Sequence, residues 1–219
     1  MSSDPADEIH LICIAKQPLP GRVKTRLSPE FTPYDACRLA AAALSDTLEV
    51  LQRTPAVART LVLEGDPNSC QHPGIDVIRQ AAGGLDRRIA AAFEAAWARA
   101  PVPMLLVGMD TPQITPGLLH AAAEQLTCCD RSAVLGPAAD GGWWALGLTK
   151  PAPEALIGVP MSTALTGARQ RERLIAAGLR VGDLPLLTDV DDPADVRAVA
   201  AQAPASRFAR VARTCAVRL

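Results

Sequence analysis

Short apolar segments alternate along the chain with longer segments whose apolar residues recur at helical spacing. Glycine and proline punctuate the connections, as is typical of loops between strands and helices. The predicted strands are residues 9–14, 60–63, 76–79, 103–107, 133–135, 143–148 and 180–181. The predicted helices are residues 32–52, 83–98, 115–126, 166–177 and a final one that begins at Pro193. This alternation predicts an α/β fold with a mostly parallel sheet flanked by helices.

The chain length and the residues at helix ends set the expected boundaries. Thr32 suits an N-cap, Pro33 the first helical position, and Gly178 the position just beyond a C-terminus. With 219 residues, the chain has the length of one domain. We predict that domain at residues 8–203 and a basic amphipathic tail at 204–219. The tail contains four arginines: Arg207, Arg210, Arg213 and Arg218.

The composition narrows the expected partners. Hydrophobic residues make up 49% of the chain and the formal net charge is −1, with no basic face interleaved with aromatics, so we expect no nucleic-acid partner. No apolar run is long enough for a membrane span and no secretory signal pattern is present, so we expect no membrane partner and a cytoplasmic protein. The cysteines form no CxxC pair and are expected to be free thiols: Cys13, Cys37, Cys70, Cys128, Cys129 and Cys215.

Polar motifs follow three of the predicted strands, and the first is the loop after residues 9–14. Lys16 opens this loop, and Gly21 lets the backbone approach a ligand closely. Lys24 and Arg26 add two cations within three residues. Because exposed amides and cations after a first strand suit a pyrophosphate, we predict phosphate binding here; the alternative is an ordinary solvated loop.

Aspartates follow two other predicted strands, at Asp110 and in the segment Asp189-x-Asp191-Asp192. Ligands of such sheets bind beyond the carboxyl ends of the strands, so these motifs should meet. One carboxylate from each of two strand ends, completed by substrate phosphates, is a usual arrangement for Mg²⁺. We therefore predict Mg²⁺ or Mn²⁺ at Asp110 and Asp191, with Val190 facing the core. The alternatives are an Asx-turn at Asp110 and a helix cap at Asp192.

The segment Asp140-Gly141-Gly142-Trp143-Trp144 places two adjacent tryptophans behind two glycines. Indole rings stack well on sugars or bases, and Asp140 can accept hydrogen bonds from hydroxyls or act as a base. We predict a catalytic role for Asp140 and a substrate or acceptor role for the four residues after it. The alternative is a strand that buries one tryptophan and leaves the other at an edge.

A weaker signal precedes the second predicted helix. Gln80 has an amide that can read a base edge, and Gly84 lies where a nucleotide can pass close to the backbone at a helix N-terminus. Both residues are candidates for nucleotide binding. Dipole complementation by Asp86 in the first helical turn is an alternative explanation of this pattern.

Together, four segments resemble a known family: Lys16-x-Pro18-x-Pro20-Gly21-x-Val23-Lys24-Thr25-Arg26-Leu27, Gly108-x-Asp110-x-Pro112, Gly136-Pro137-Ala138-x-Asp140-Gly141-Gly142 and Asp189-x-Asp191. They are similar to the small bacterial GT-A-like transferases, long called a domain of unknown function. Members are often labelled radical-SAM/selenodomain-associated or arsenosugar-biosynthesis glycosyltransferases. The resemblance spans residues 9–199.

The resemblance implies a GT-A, Rossmann-like fold, a nucleotide-sugar donor and a divalent metal. It places the phosphates near Gly21, Lys24 and Arg26, and the metal at Asp110. The same segments also resemble phospholactate guanylyltransferases and, more distantly, molybdenum-cofactor guanylyltransferases. In those enzymes the equivalent loop holds a nucleoside triphosphate.

This chain departs from the family pattern at positions where donor or acceptor groups are expected. Tryptophans replace the usual tyrosines after the Gly-Gly pair, and a Leu-Gly-x-Arg pattern reads Leu85-Asp86-Arg87-Arg88. Met161 replaces a tryptophan before Ser162 and Thr163, which makes those two residues candidates for substrate binding.

We predict a metal-dependent glycosyltransferase that uses a nucleoside-diphosphate sugar and a small acceptor. One alternative is a nucleotidyltransferase that acts on a phosphorylated small molecule and releases pyrophosphate, for which Arg22, Arg87 and Arg88 are extra phosphate-binding candidates. The other alternative is a noncatalytic nucleotide-binding protein, and the presence of both Asp110 and Asp191 argues against it.

Overall fold

A computed structural model of the protein describes residues 4–127 and 129–216; Cys128 and Arg218, named above, lie outside these ranges. Within them the sheet consists of β1 (His10–Lys16), β2 (Ala58–Glu64), β3 (Asp76–Arg79), β4 (Met104–Gly108), β5 (Ala133–Pro137), β6 (Trp143–Leu148) and β7 (Val181–Asp183). The α-helices there are α1 (Pro33–Arg53), α2 (Leu85–Arg99), α3 (Pro116–Thr127), α4 (Pro153–Leu156), α5 (Thr166–Ala176), α6 (Pro193–Gln202) and α7 (Arg207–Ala216). Across the described ranges, every helix is too short or too polar to cross a membrane.

The strands form one twisted layer in the order β3-β2-β1-β4-β6-β5-β7. All neighbouring pairs are parallel except those of β6, which is antiparallel to both β4 and β5. This arrangement confirms the predicted α/β fold with a mostly parallel sheet. As a result, β1, β4 and β5 end, and β6 begins, at one edge of the sheet, which we call the carboxyl edge.

Helices cover both faces of the sheet because the strand residues alternate between two apolar cores. Leu11 and Cys13 of β1 pack in the core under α1 and α3, whereas Ile12 packs in the core under α2, α4 and α5. A third core lies on the outer side of α1, against α6 and α7. Helix α1 is therefore buried on two sides, and its many alanines allow this close packing.

The predicted helix ends are borne out by their capping contacts. The Thr32 hydroxyl oxygen accepts a hydrogen bond from the Asp35 backbone N–H at 3.1 Å and caps α1. At α6, Asp192 and Asp195 form a reciprocal capping box. Gly178 follows α5 with φ +80°, the left-handed conformation expected beyond a helix C-terminus.

The C-terminal segment differs from the predicted basic tail, because it forms helix α7 and packs on α1 and α6. Phe208 is 1% exposed in the third core. The Asp46 carboxylate of α1 accepts hydrogen bonds from the backbone N–H groups of Arg207 at 3.1 Å and Phe208 at 2.8 Å. The sequence prediction ended the helices with the one at Pro193.

We expect Phe208→Ala to lower the free energy of unfolding by about 3 to 5 kcal/mol, because it removes a fully buried ring from the core that joins α7 to α1. Arg210→Ala on the exposed face of the same helix is the matched control and should change it by no more than about 0.5 kcal/mol. Urea unfolding of both variants measures this. Equal stabilities would contradict an integral role for α7.

Candidate functional site

A cavity of about 720 Å³ opens at the carboxyl edge, where the three predicted polar motifs converge. Most of the predicted site residues line it: Lys16, Lys24, Arg26, Gln80, Asp110, Asp140, Gly142, Trp143, Trp144, Ser162, Thr163 and Asp191. Gly21, Gly84 and Gly141 belong to the same loops but do not contribute to the lining. The cavity is large enough for a nucleotide-sized ligand.

The loop after β1 turns Lys24 into the cavity. Val23 and Leu27 are buried on either side of it and anchor the loop to the core. Lys24 between them has φ +50° and ψ +40°, the left-handed conformation, and Gly21 upstream has φ +74°. The Lys24 side chain is only 9% exposed, whereas that of Arg26, two residues later, is 74% exposed. The two predicted phosphate-binding cations therefore occupy different environments.

Lys24 lies between the two aspartates predicted to hold a metal. Its Nζ is 2.8 Å from Asp110 Oδ1 and 3.4 Å from Asp191 Oδ1, and it donates a hydrogen bond to the Val190 carbonyl oxygen. The contact with Asp110 is a short ion pair that places the ammonium directly against Oδ1, an atom that is itself buried. Arg26 Nη1 lies 3.4 Å from the other oxygen of Asp191.

The backbone holds the two aspartates together. The Val190 N–H donates to the Asp110 carbonyl oxygen at 2.9 Å, so the chain before α6 runs directly beside the end of β4. Val190 itself is 1% exposed in the third core. Its burial orients Asp191 toward the cavity, as the alternation predicted, while Asp192 turns away to cap α6.

Asp189 also belongs to this cluster. Its side chain is partly buried, with an Oδ1 that has no hydrogen-bond partner in the described part of the chain. Burial and the nearby carboxylates of Asp110 and Asp140 raise its pKa to about 7, although Lys24 opposes the shift. Its place two residues before Asp191, on the same side of an extended segment, is the signal that points to it.

The same carboxylates favour the charged form of Lys24, whereas they disfavour the charged form of Asp189. Burial alone would lower the pKa of its ammonium, but the charges of Asp110, Asp191 and Asp189 raise it above the ordinary value. Lys24 is therefore firmly charged. One ammonium thus faces three carboxylates, and Arg26 lies against the outer oxygen of Asp191.

The cluster fits a hard divalent cation. Carboxylate and carbonyl oxygens are its usual ligands, and Asp189 has a buried oxygen without a hydrogen-bond partner in the described ranges. Among residues 4–127 and 129–216, no three His, Cys, Asp or Glu side chains form a complete metal-binding group. This finding is consistent with the arrangement predicted for Mg²⁺, in which substrate oxygens complete a site made of two protein carboxylates.

Asp140 and the following residues form another wall of the cavity. Asp140 Oδ1 accepts a hydrogen bond from the Gly142 N–H at 2.8 Å, which fixes the carboxylate at the turn. Trp143 is half-buried and lines the cavity. The prediction for Trp144 is wrong: its ring is 1% exposed in the core and its Nε1–H donates to the Pro185 carbonyl oxygen at 2.9 Å. That ring cannot stack on a substrate.

The turn at Asp140 packs tightly against the start of α5. The Gly167 N–H donates to the Gly141 carbonyl oxygen at 2.8 Å, and a side chain at Gly141 would overlap the backbone of Ala164. Ser162 is exposed with φ +58°, and the Thr163 hydroxyl accepts a hydrogen bond from the Leu165 N–H at 3.3 Å. Both predicted acceptor residues therefore lie at the cavity mouth, on a segment fixed by this packing.

The opposite wall contains a polar network across the ends of β1, β2 and β3. Gln80 Nε2 donates to the carbonyl oxygens of Ala15 at 2.7 Å and Val62 at 3.2 Å. Arg88 donates to Gln80 Oε1 at 3.3 Å and to Glu64 at 2.6 Å. The amide nitrogen of Gln80 is thus engaged with the backbone. Its oxygen positions Arg88, which sequence reasoning named only as an extra phosphate-binding candidate.

Similar solved structures define the class of fold. A "putative nucleotide-diphospho-sugar transferase" from Desulfovibrio desulfuricans G20 is 25% identical, with a TM-score of 0.86 over 94% of each chain. Rv0371c from Mycobacterium tuberculosis H37Rv, in complex with manganese, is 20% identical, with a TM-score of 0.53 over 88% of this chain and 97% of that one. A nucleotidyl transferase from Methanothermobacter thermautotrophicus is 14% identical, with a TM-score of 0.58 over 93% and 98%. The fold is thus the GT-A-like fold shared by nucleotide-sugar transferases and nucleotidyltransferases.

Residues 47–163 match the family DUF2064, described as uncharacterized protein conserved in bacteria, and the chain belongs to that family. This confirms the resemblance to a family long called a domain of unknown function. The matched residues include Asp110 and Asp140 but neither Lys24 nor Asp191. No curated protein matches the chain significantly.

We expect Gly141→Ala to lower the free energy of unfolding by at least about 1 to 3 kcal/mol, because Gly141 has φ +87° and a Cβ there would overlap the backbone of Ala164. In Gly117→Ala of α3, the matched control, a Cβ meets nothing within 4 Å. That helical change should be neutral or stabilise by up to about 1 kcal/mol. Urea unfolding separates the two. Tolerance of Gly141→Ala would show that the turn is not held against α5 as described.

Proposed function

We propose that the protein is a metal-dependent glycosyltransferase that moves a sugar from a nucleoside-diphosphate donor to a small acceptor. The observation that supports this most is the meeting of Asp110 and Asp191 around Lys24 in a cavity that is also lined by Arg22 and Arg26. A diphosphate with its divalent cation has the complementary charges. Its oxygens match the cations of the loop, and its metal matches the carboxylates.

The donor's phosphates lie along the loop after β1 in this proposal. Arg22 and Arg26 are exposed at the cavity, so they can turn toward phosphate oxygens without breaking a buried contact. Lys24 contributes a point charge deeper in the site. The nucleoside extends toward the network of Gln80, Arg88 and Glu64, where polar side chains line the cavity above the ends of β1 and β2.

Asp110 and Asp191 would hold the divalent cation, Mg²⁺ or Mn²⁺, together with the donor's phosphate oxygens. A cation bound there would neutralise the charge that develops on the leaving diphosphate. Lys24 and Arg26 stabilise the same developing charge from the protein side. Cationic groups that are in place around the diphosphate before its bond to the sugar breaks are the main contribution of such a site to the rate.

The acceptor binds on the wall that contains Asp140 and Trp143. An acceptor hydroxyl oxygen forms a bond to the anomeric carbon of the sugar, while the bond from that carbon to the donor's phosphate oxygen breaks. The hydroxyl proton passes to Asp140, whose Oδ1 is already fixed by the Gly142 N–H. Trp143 offers an apolar surface beside it, and Ser162 and Thr163 lie at the rim.

A nucleotidyltransferase is the second candidate, and one observation favours it. Five cationic side chains line the cavity, which is more than a diphosphate needs and suits a triphosphate: Lys16, Arg22, Lys24, Arg26 and Arg88. In that reaction a phosphorylated acceptor attacks the α-phosphate and pyrophosphate leaves. Product analysis distinguishes the candidates, because glycosyl transfer releases a nucleoside diphosphate and nucleotidyl transfer releases pyrophosphate.

We expect Asp110→Asn to reduce metal-dependent donor turnover by at least about 100-fold, because it removes one charged ligand and with it about 3 kcal/mol of stabilisation of the leaving group. Asp192→Asn is the matched control. It lies next to Asp191 but caps α6, and asparagine caps a helix as well as aspartate does. Release of nucleoside diphosphate or pyrophosphate from a panel of nucleotide sugars and triphosphates measures both variants.

Wild-type levels of turnover in Asp110→Asn would contradict the metal assignment. Failure of the wild-type protein to turn over any donor, while donors still raise its melting temperature, would favour a noncatalytic nucleotide-binding protein.

A further inference from the structure

The ammonium of Lys24 lies in a set of oxygen atoms that resembles a cation-binding site. Its Nζ is 2.8 Å from Asp110 Oδ1 and 3.4 Å from Asp191 Oδ1, and it donates to the Val190 carbonyl oxygen. Two carboxylates and a backbone carbonyl are the kinds of ligand that also bind hard divalent cations. Lys24 therefore contacts the same carboxylates that the proposed function assigns to the metal.

A divalent cation and the ammonium cannot share these oxygens. A small divalent cation needs carboxylate oxygens at about 2.1 Å, which would place it within a few ångströms of Nζ. At that separation in a partly buried site, the repulsion between the two cations is large. Binding of the metal through Oδ1 of Asp110 and Oδ1 of Asp191 thus requires Lys24 to leave.

The cavity offers the Lys24 ammonium an alternative position. The residue lines the cavity, and its long unbranched stem can carry the charge away from the carboxylates toward the side lined by Arg22 and Arg26. That side is cationic, so an ammonium becomes stable there only when anionic oxygens are present. A phosphate group supplies them.

We propose that Lys24 is a placeholder for the metal: in the free protein its ammonium satisfies Asp110 and Asp191, and it moves to a phosphate when a metal–nucleotide complex binds. The inference rests on the proposed function for its metal site. Lys24 then competes with free metal but not with metal that arrives together with phosphate. The site would accordingly remain metal-free until a nucleotide enters.

The test is Mn²⁺ binding without nucleotide, measured by electron paramagnetic resonance of free Mn²⁺ in titrations of wild-type protein and Lys24→Met. Methionine keeps the length of the stem and removes the charge. We expect Lys24→Met to bind Mn²⁺ at least about 10-fold more tightly than the wild type, as expected when a competing charge is removed. The added substitution Asp110→Asn should abolish that gain.

Two further variants make the result specific. Lys150→Met removes an exposed lysine after β6, at the opposite edge of the sheet, and should leave Mn²⁺ affinity unchanged. Lys24→Gln repeats the test with a neutral polar residue should the methionine variant fold poorly. Unchanged or weaker Mn²⁺ binding in the folded Lys24 variants would overturn the placeholder role.

The same titration with a nucleoside diphosphate present separates this inference from the proposed function. If wild-type protein binds Mn²⁺ with the nucleotide but the Lys24 variants gain nothing without it, only the placeholder role fails. If neither the wild type nor the Lys24 variants bind Mn²⁺ under any condition, the metal site of the proposed function fails as well.

Discussion

The site depends on one electrostatic constraint: three carboxylates, from Asp110, Asp189 and Asp191, are held close together where water is partly excluded. Like charges in such a place need a counter-charge or a proton. The protein supplies Lys24, whose ammonium contacts two of the three, while burial and the neighbouring carboxylates raise the pKa of Asp189 to about 7. The proposed function assigns further positive charge at this cluster to a divalent cation that arrives with a phosphate-bearing ligand.

The fold enforces this constraint through packing far from the charges. Val190 is buried between α1 and the C-terminal helices, and its N–H is bonded to the Asp110 carbonyl oxygen. The core that contains Phe208 therefore also fixes the position of Asp191. On the other wall, the turn at Gly141 packs against the start of α5, which fixes the position of Asp140 relative to Ser162 and Thr163. Packing between helices and loops thus determines where the side chains of the cavity lie.

The order of strands and helices could be predicted from the sequence because short-range residue patterns specify it. Thr32-Pro33 and Asp192-Pro193 specify helix starts whatever the rest of the chain does, and the alternation around Val190 specifies which side chains face the cavity. What escaped prediction depends on neighbours distant in sequence. Trp144 and Trp143 have equivalent local patterns, and the core residues and the Pro185 carbonyl that bury the Trp144 ring come from distant parts of the chain. The Gln80 amide donates hydrogen bonds to backbone carbonyls of β1 and β2. Helix α7 packs on α1, which lies more than 150 residues earlier in the chain.

The most direct test is the structure of crystals grown with Mn²⁺ and a nucleoside diphosphate, with the metal located by anomalous scattering. The account predicts a single strong manganese peak that contacts the carboxylates of both Asp110 and Asp191 and a phosphate oxygen of the nucleotide. A peak that contacts neither aspartate, or a nucleotide bound away from the carboxyl edge, would contradict it.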